Sequence, residues 1–169
     1  GPEMRSTGEV MGADRSLPIA FAKAQMAAGV TLPTSGSVFL SLRDGDKRHA
    51  ADIARSLLRI GFSLFTSSGT HAELARQGIE TRLLPKISEG ARPNVLDLVR
   101  NREIALILTT ATRKGGATDE GSIRAQAVRS GIPIVTTVAG ARAAVEAIAA
   151  LQGEALPVNA LQDLHRPWS

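Results

Sequence analysis

The sequence has no cysteine and no tyrosine, and its only other aromatic rings outside histidine are one tryptophan and four phenylalanines. Without cysteine there is no disulfide, no thiolate metal site and no cysteine nucleophile, which suits a reducing compartment. Cytoplasm is therefore the expected location. With aromatics at 3% of the chain, a stacking platform for single-stranded nucleic acid lacks its material. Uninterrupted apolar runs are too short to span a bilayer, and the N-terminus lacks a signal-peptide pattern. No Walker-type G-x-x-x-x-G-K-[ST] loop is present, so no ATP site of that kind is expected. His49, His71 and His165 have no metal-ligand spacing, so no metal is expected either.

What remains is ordinary for a globular chain, 43% hydrophobic and 21% charged over 169 residues. That length suits one compact domain. Its core must be built from Ala, Val, Ile and Leu, the palette of a parallel sheet covered by helices. A net charge of +4 with scattered arginines favours a small anionic ligand over a nucleic-acid polymer.

The first 14 residues are polar and glycine-rich without a clear period, and a helical pattern runs over 16–28, with Pro18 near its start and Gly29 after its end. Residues 32–36 read as a loop. From there strands and helices alternate. Strands are expected over 38–42, 62–66, 79–84, 104–108 and 132–137. Helices are expected over 47–60, 70–77, 93–101, 120–130 and 141–151. The first of these carries Ala50, Ile53, Ala54, Leu57 and Leu58 as an inward stripe, and the third carries Val95, Leu98 and Val99. Residues from 153 onward form a tail with apolar Leu161, Leu164 and Trp168. Five strands separated by helices imply an α/β fold, a parallel sheet with helices on both faces. Pro85 and Pro133 mark strands three and five as edges, compatible with the order 3-2-1-4-5.

In such a sheet the binding crevice lies beyond the carboxyl ends of the strands, where strand order reverses. The segments that fall there are Arg43-Asp44-Gly45-Asp46-Lys47, Ser67-Ser68-Gly69-Thr70, Lys86, and Thr109, Thr110 and Thr112. Gly69 would let the backbone turn sharply and approach a ligand, and the following helix would present free N–H groups to a phosphate. Ser67 and Thr70 would add hydroxyls. An ordinary helix cap with a glycine turn explains the same residues. Lys47, Arg48 and His49 fall in a helix's first turn, where cations are disfavoured; an anion near Lys47 would remove the conflict. The alternative is that Asp46 caps the helix and the cations are solvated, as Lys86 can be. Arg48, Arg55 and Arg59 share an outer face with Asp52 and read as solvated ion pairs. Asp97, one turn after Asn94, reads as a cap or surface group.

Several of these segments resemble a known family. Ser6-Thr7-Gly8-Glu9-Val10-Met11-Gly12 is similar to the segment closing the second synthetase half of carbamoyl phosphate synthetase, and Ala20-Phe21-Ala22-Lys23-Ala24-Gln25 to the helix after it. Ser41 to Lys47, Gly69-Thr70, Lys86 with Glu89-Gly90, and Thr136-Thr137 follow in the family's order. Val158-Asn159-Ala160-Leu161-Gln162-Asp163-Leu164-His165 resembles the end of the large subunit. The resemblance implies a methylglyoxal-synthase-like allosteric domain over 35–153, preceded over 1–34 by the end of the synthetase half and its linker, and followed by a tail over 154–169. It implies a regulatory, non-catalytic role in an enzyme of arginine and pyrimidine biosynthesis, with UMP or IMP as effector. Lys47, Ser67, Gly69, Thr70 and Lys86 match its phosphate-contact positions, Ser67 standing where threonine is more usual. Ser41, Thr109 and Thr110 match ribose and base contacts, and Thr136 a position near ornithine. No cofactor is implied within this segment; ATP with Mg or Mn belongs to the synthetase halves. Those halves and the glutaminase small subunit are the implied protein partners, with possible self-association and no nucleic acid or membrane.

Two departures stand out. Thr109-Thr110-Ala111 replaces the family's Asn-Thr-Thr, and Ala91 reads as a one-residue insertion. Methylglyoxal synthase itself would need a carboxylate in the segment after strand three, where this chain has Glu89-Gly90-Ala91-Arg92-Pro93-Asn94 with no acid at the required place. An assembly domain with a vestigial nucleotide site is the other reading.

Overall fold

Strand β1, Ser37–Ser41, is the centre from which the fold is organised. The structure is a computed structural model that describes residues 17, 18, 20, 30–110 and 119–153. After β1 come a 3-10 segment, Asp44–His49, and helix α1, Ala50–Arg59. Then follow β2 (Ser63–Thr66), α2 (Ser68–Arg76), β3 (Arg82–Leu83), a short 3-10 turn (Ile87–Glu89) and α3 (Val95–Arg100). The chain finishes its described course with β4 (Leu106–Thr109), α4 (Asp119–Ser130), β5 (Ile134–Val135) and α5 (Val138–Gln152). The five strands are all parallel in the order β3-β2-β1-β4-β5. That is the expected order, with the proline-flanked strands at the edges.

Alternation along β1 divides the core in two. Val38 and Leu40 face one side, packed with Leu64, Leu106 and Leu108 under α1, α2 and α5. Phe39 faces the other, packed with Phe65 and Ile107 under α3 and α4. Both faces of the sheet are therefore covered, which is why its central strands read as continuous apolar runs. The register sets Phe39 opposite Phe65 and Ile107, and Ser41 opposite Thr109. Polar residues thus begin together where the strands end.

Several local expectations need correction. The helix expected over 47–60 is two pieces, and Lys47, Arg48 and His49 occupy the last turn of the 3-10 segment, where cations are favoured. His49 is buried, and burial, followed by the fields of Arg48 and Arg142, pushes its pKa down. The cationic misfit at that helix start is therefore largely removed. Asp46 does not cap: Arg43 holds the N-cap position, and its Nε donates to Asp46 Oδ2 at 2.8 Å. Leu58, expected inward, is 42% exposed: it lies on the flank of the buried face, which runs through Ala50, Ile53, Ala54 and Leu57. Asp52 forms no ion pair with Arg48, Arg55 or Arg59 among the described residues. Edge strands β3 and β5 are two residues each, since each has a neighbour on one side only and pairs only over that overlap. The segments 6–12 and 158–165 and residue Ala111 lie outside the described residues, as do the boundary regions 1–14 and 154–169 and, from the strand-four segment, Thr112. No described helix is long and apolar enough to cross a membrane.

Ile107 is fully buried in β4 between two paired strands. Ile107→Ala is expected to lower unfolding stability by about 2–5 kcal/mol, whereas Leu58→Ala is expected to cost about 1 kcal/mol or less. Urea denaturation of the two variants checks the contrast.

Candidate functional site

The carboxyl ends of β1, β2 and β4 meet where the chain reverses its direction of sheet growth, with β1 between β2 and β4. At that point Leu42 and Arg43 leave the β1 ladder, and their two amides need acceptors. Leu42 N–H donates to Thr70 Oγ1 at 2.9 Å, and Arg43 N–H donates to Thr110 Oγ1 at 2.9 Å. Thr110 N–H in turn donates to the Ser41 carbonyl at 3.1 Å. Two threonines on different elements therefore hold the turn that launches the Lys47 segment. Thr70 is fully buried and Thr110 nearly so. Both hydroxyls expected at a ligand thus have an architectural task.

Helix α2 begins at this crevice. Ser67 occupies its N-cap position in extended conformation, yet its hydroxyl makes no cap bond. Instead Ser67 Oγ lies 2.7 Å from Ser41 Oγ, joining the ends of β1 and β2. His71 N–H is the first to close a helical turn, donating to the Ser67 carbonyl at 2.8 Å. The N–H groups of Ser68, Gly69 and Thr70 precede that ladder, at the positive end of the helix. An ordinary capped turn is therefore not what the structure contains.

Gly69 does something other than turn the chain. It lies inside the first turn of α2 and is not among the glycines with positive φ. Its missing side chain makes room: a Cβ there would overlap Lys47 Nζ and stand 3.0 Å from Lys47 Cε. The Lys47 ammonium is thus laid across the start of α2, where Asp44 Oδ1 accepts from it at 2.5 Å. The field of Lys47 also helps to hold the Glu73 carboxyl below its usual range, after the larger effects of Arg76 and Gln77.

Lys47, Ser67, Gly69, Thr70 and Ser41 are therefore brought together. Lys86 lies at the neighbouring strand end, exposed, two residues after Leu84, whose N–H donates to the Thr66 carbonyl at 2.9 Å. Thr109 is 6% exposed beside Ser41. Thr136 is not part of this cluster. It follows β5 at the opposite edge, next to Thr137, whose hydroxyl caps α5 by accepting from Gly140 N–H at 2.9 Å. Asp44, given no role by its sequence, is the residue that sequence reasoning missed. Its spacing of three from Lys47 on one short helix was the available signal.

The segment after β3 supplies no free carboxylate from α3. Asp97 accepts from Asn94 N–H at 2.9 Å, while Asn94 Oδ1 accepts from Leu96 N–H at 2.9 Å, a reciprocal capping box. Arg92 Nε donates to Asp97 Oδ2 at 3.2 Å, its terminal nitrogen reaches Oδ1, and Arg100 donates at 3.2 Å. Arg92, then the Asn94 amide, hold the Asp97 carboxyl at about 2 against 3.8 ordinarily. It is a structural anion, the capping role expected from its spacing.

The arrangement defines a class first: a doubly wound parallel α/β module with a cation, hydroxyls and a helix N-terminus gathered at its switch point. Residues 49–136 match the family model described as an MGS-like domain, and the chain belongs to that family. It is 48% identical over 162 residues to the carbamoyl phosphate synthase large chain of Rhodopirellula baltica, covering 96% of this chain and 15% of that protein. It is 46% identical over 167 residues to the carbamoyl phosphate synthase large chain, C-terminal section, of Methanopyrus kandleri, covering 98% of this chain and 31% of that one. The chain thus spans less than a third of either relative. The crystal structure of methylglyoxal synthase from Elizabethkingia anophelis NUHP1 superposes with a TM-score of 0.51 at 16% identity, over 68% of this chain and 79% of the other. That likeness shows the fold alone.

Because its carboxyl is depressed in the folded state, Asp97 contributes stability in full above its unfolded value near 3.8, and that contribution is lost as pH falls towards about 2. The stability difference between the native chain and Asp97→Asn is expected to be largest above pH 4 and to shrink between pH 4 and pH 2. Thermal unfolding across that range measures it.

Proposed function

We propose that this domain is the effector-binding regulatory part of a carbamoyl phosphate synthase large chain, and that it receives a nucleoside monophosphate, UMP or IMP, by its phosphate. The observation that carries the reading is the Lys47 ammonium laid over Gly69 at the start of α2. A phosphate at that point would meet a cation, the first N–H groups of α2 and the Ser67 hydroxyl, with Lys86 in reach from the next strand end. Ser41, Thr109 and Thr110 lie on the side where ribose and base would extend. Ornithine, if it binds, does so near Thr136, on the far side of β4 and away from the phosphate.

Within the proposal, residues 1–34 close the preceding synthetase half, 35–153 form the effector module and 154–169 end the chain. The synthetase halves, with their ATP and Mg or Mn, and the glutaminase small subunit are then its partners in the cytoplasm. Turnover belongs to those partners: the module offers no carboxylate from α3 for proton abstraction, Asp97 being held by Arg92, Arg100 and Asn94.

Calorimetric titration of the chain with UMP and IMP tests the reading. Lys47→Ala removes one charge-assisted bond to phosphate and is expected to weaken either ligand by about ten- to a hundredfold. Gly69→Ala is expected to keep or raise helix stability by up to about 1 kcal/mol while displacing the ammonium, and so to weaken binding without unfolding. Equal affinity in all three proteins would refute the phosphate seat.

A further inference from the structure

We propose that Asp44 is a built-in competitor for the anion seat, a carboxylate that holds Lys47 and must release it when an external phosphate group binds. The inference rests on the phosphate reading of the Lys47–Gly69 crevice and adds to it a residue that sets affinity from within.

Lys47 is placed where a cation is electrostatically misfit. Its ammonium lies across the first turn of α2, the positive end of that helix. Negative charge must compensate, and two carboxylates do so. Asp44 is in direct contact at 2.5 Å, on the same 3-10 segment three residues earlier. Glu73 is one helical turn beyond Gly69 and feels the field of Lys47.

These two acids differ in what else holds them. The Glu73 side chain is 17% exposed and is bound by Arg76 and by Gln77 Nε2, the latter at 3.2 Å. The Asp44 side chain is 95% exposed and its ion pair is with Lys47. Asp46, the other acid of the segment, is taken by Arg43 at 2.8 Å. Lys47 is therefore the main cause that holds the Asp44 carboxyl below its usual range. Of the acids around the ammonium, Asp44 is the one free to leave.

An arriving phosphate dianion offers Lys47 more charge than one carboxylate and also uses the N–H groups at the start of α2. It displaces Asp44, which then stands beside a like charge. Both steps lower affinity: the lost Asp44–Lys47 contact costs every anion the same, and the repulsion grows with the ligand's charge. Asp44 thus raises the threshold that an anion must pass. An exposed ion pair three residues apart is a weak contact, so the threshold is graded.

The test is a double-mutant cycle read by calorimetric titration with inorganic phosphate and with UMP. The proteins are the native chain, Asp44→Asn, Lys47→Ala and the double variant. Exposure of Asp44 leaves the fold of Asp44→Asn intact, which circular dichroism checks. Asp44→Asn is expected to bind both ligands about two- to fivefold more tightly than the native chain, and the gain is expected to be clearly smaller in the Lys47→Ala background, where only repulsion is left to relieve. A gain of equal size in both backgrounds would mean long-range repulsion in place of a held contact and would overturn the proposal. Native binding with no gain in Asp44→Asn overturns it alone, leaving the phosphate seat standing. Failure of the native chain to bind phosphate or UMP overturns the seat and the competitor together.

Discussion

Two consecutive backbone amides, those of Leu42 and Arg43, govern the carboxyl end of the sheet. A parallel strand that ends between two neighbours leaves its next N–H groups without ladder partners, and burial makes such groups costly. Here Thr70 Oγ1 accepts one and Thr110 Oγ1 the other, each at 2.9 Å. One threonine comes from α2 and the other from the end of β4, so the turn after β1 is tied on both sides. That double tie fixes the direction in which the 3-10 segment departs. It also fixes where Lys47 arrives.

The consequence is a division of labour among residues of the same type. Thr70 and Thr110 are hydroxyl-bearing residues at a crevice, yet their oxygens are occupied by the backbone. Ser41 and Ser67 contact one another at 2.7 Å and are only partly buried, so theirs are the hydroxyls that a ligand can engage. The cap that Ser67 withholds from α2 leaves the first N–H groups of that helix available at the same place. Charge is arranged with equal economy. The ammonium, two carboxylates and a helix dipole lie within one turn of each other, and the aliphatic core beneath them fixes their spacing.

Much of the fold was legible because its causes are local or periodic. Alternating apolar runs and helical stripes gave five parallel strands with helices on both faces, and Pro85 and Pro133 singled out the edges. The crevice followed from the topology, and Lys47, Ser67, Gly69 and Thr70 were found there. What could not be read depends on three-dimensional neighbours. Leu58 lies on the predicted stripe but at the flank of α1, where burial depends on what the neighbouring elements cover and not on the helix's own period. The strands over 79–84 and 132–137 shrank to Arg82–Leu83 and Ile134–Val135, since strand extent is set by a partner's overlap and not by the strand's own composition. Gly69 was read as a turn residue, but its role is room for a side chain from another element. No pattern within α2 could reveal that. Asp44 was passed over because Lys47 was weighed against an outside anion before its neighbour in sequence.

Binding at this crevice is a different matter from control by it. On the proposed reading, a ligand would exert control only through unequal affinity for two states, which requires its crevice to be connected mechanically to residues elsewhere. A side-chain tie stands at the opposite end of the sheet. Gln152, in the last turn of α5, donates from Nε2 to the Thr34 carbonyl at 2.8 Å and to the Ile60 carbonyl at 2.9 Å. Thr34 lies three residues before β1, and Ile60 ends α1. One side-chain amide thus ties the entry of β1, the end of α1 and the end of α5 together. The Lys47 segment enters α1 directly, and α1 packs beside β1 in the same core cluster. On that reading, a shift of Lys47 between Asp44 and an outside phosphate would act on one end of a packed unit whose other end is tied to the residues before β1. Rigid packing would transmit such a shift, and Gln152 is where it would reach the residues before β1.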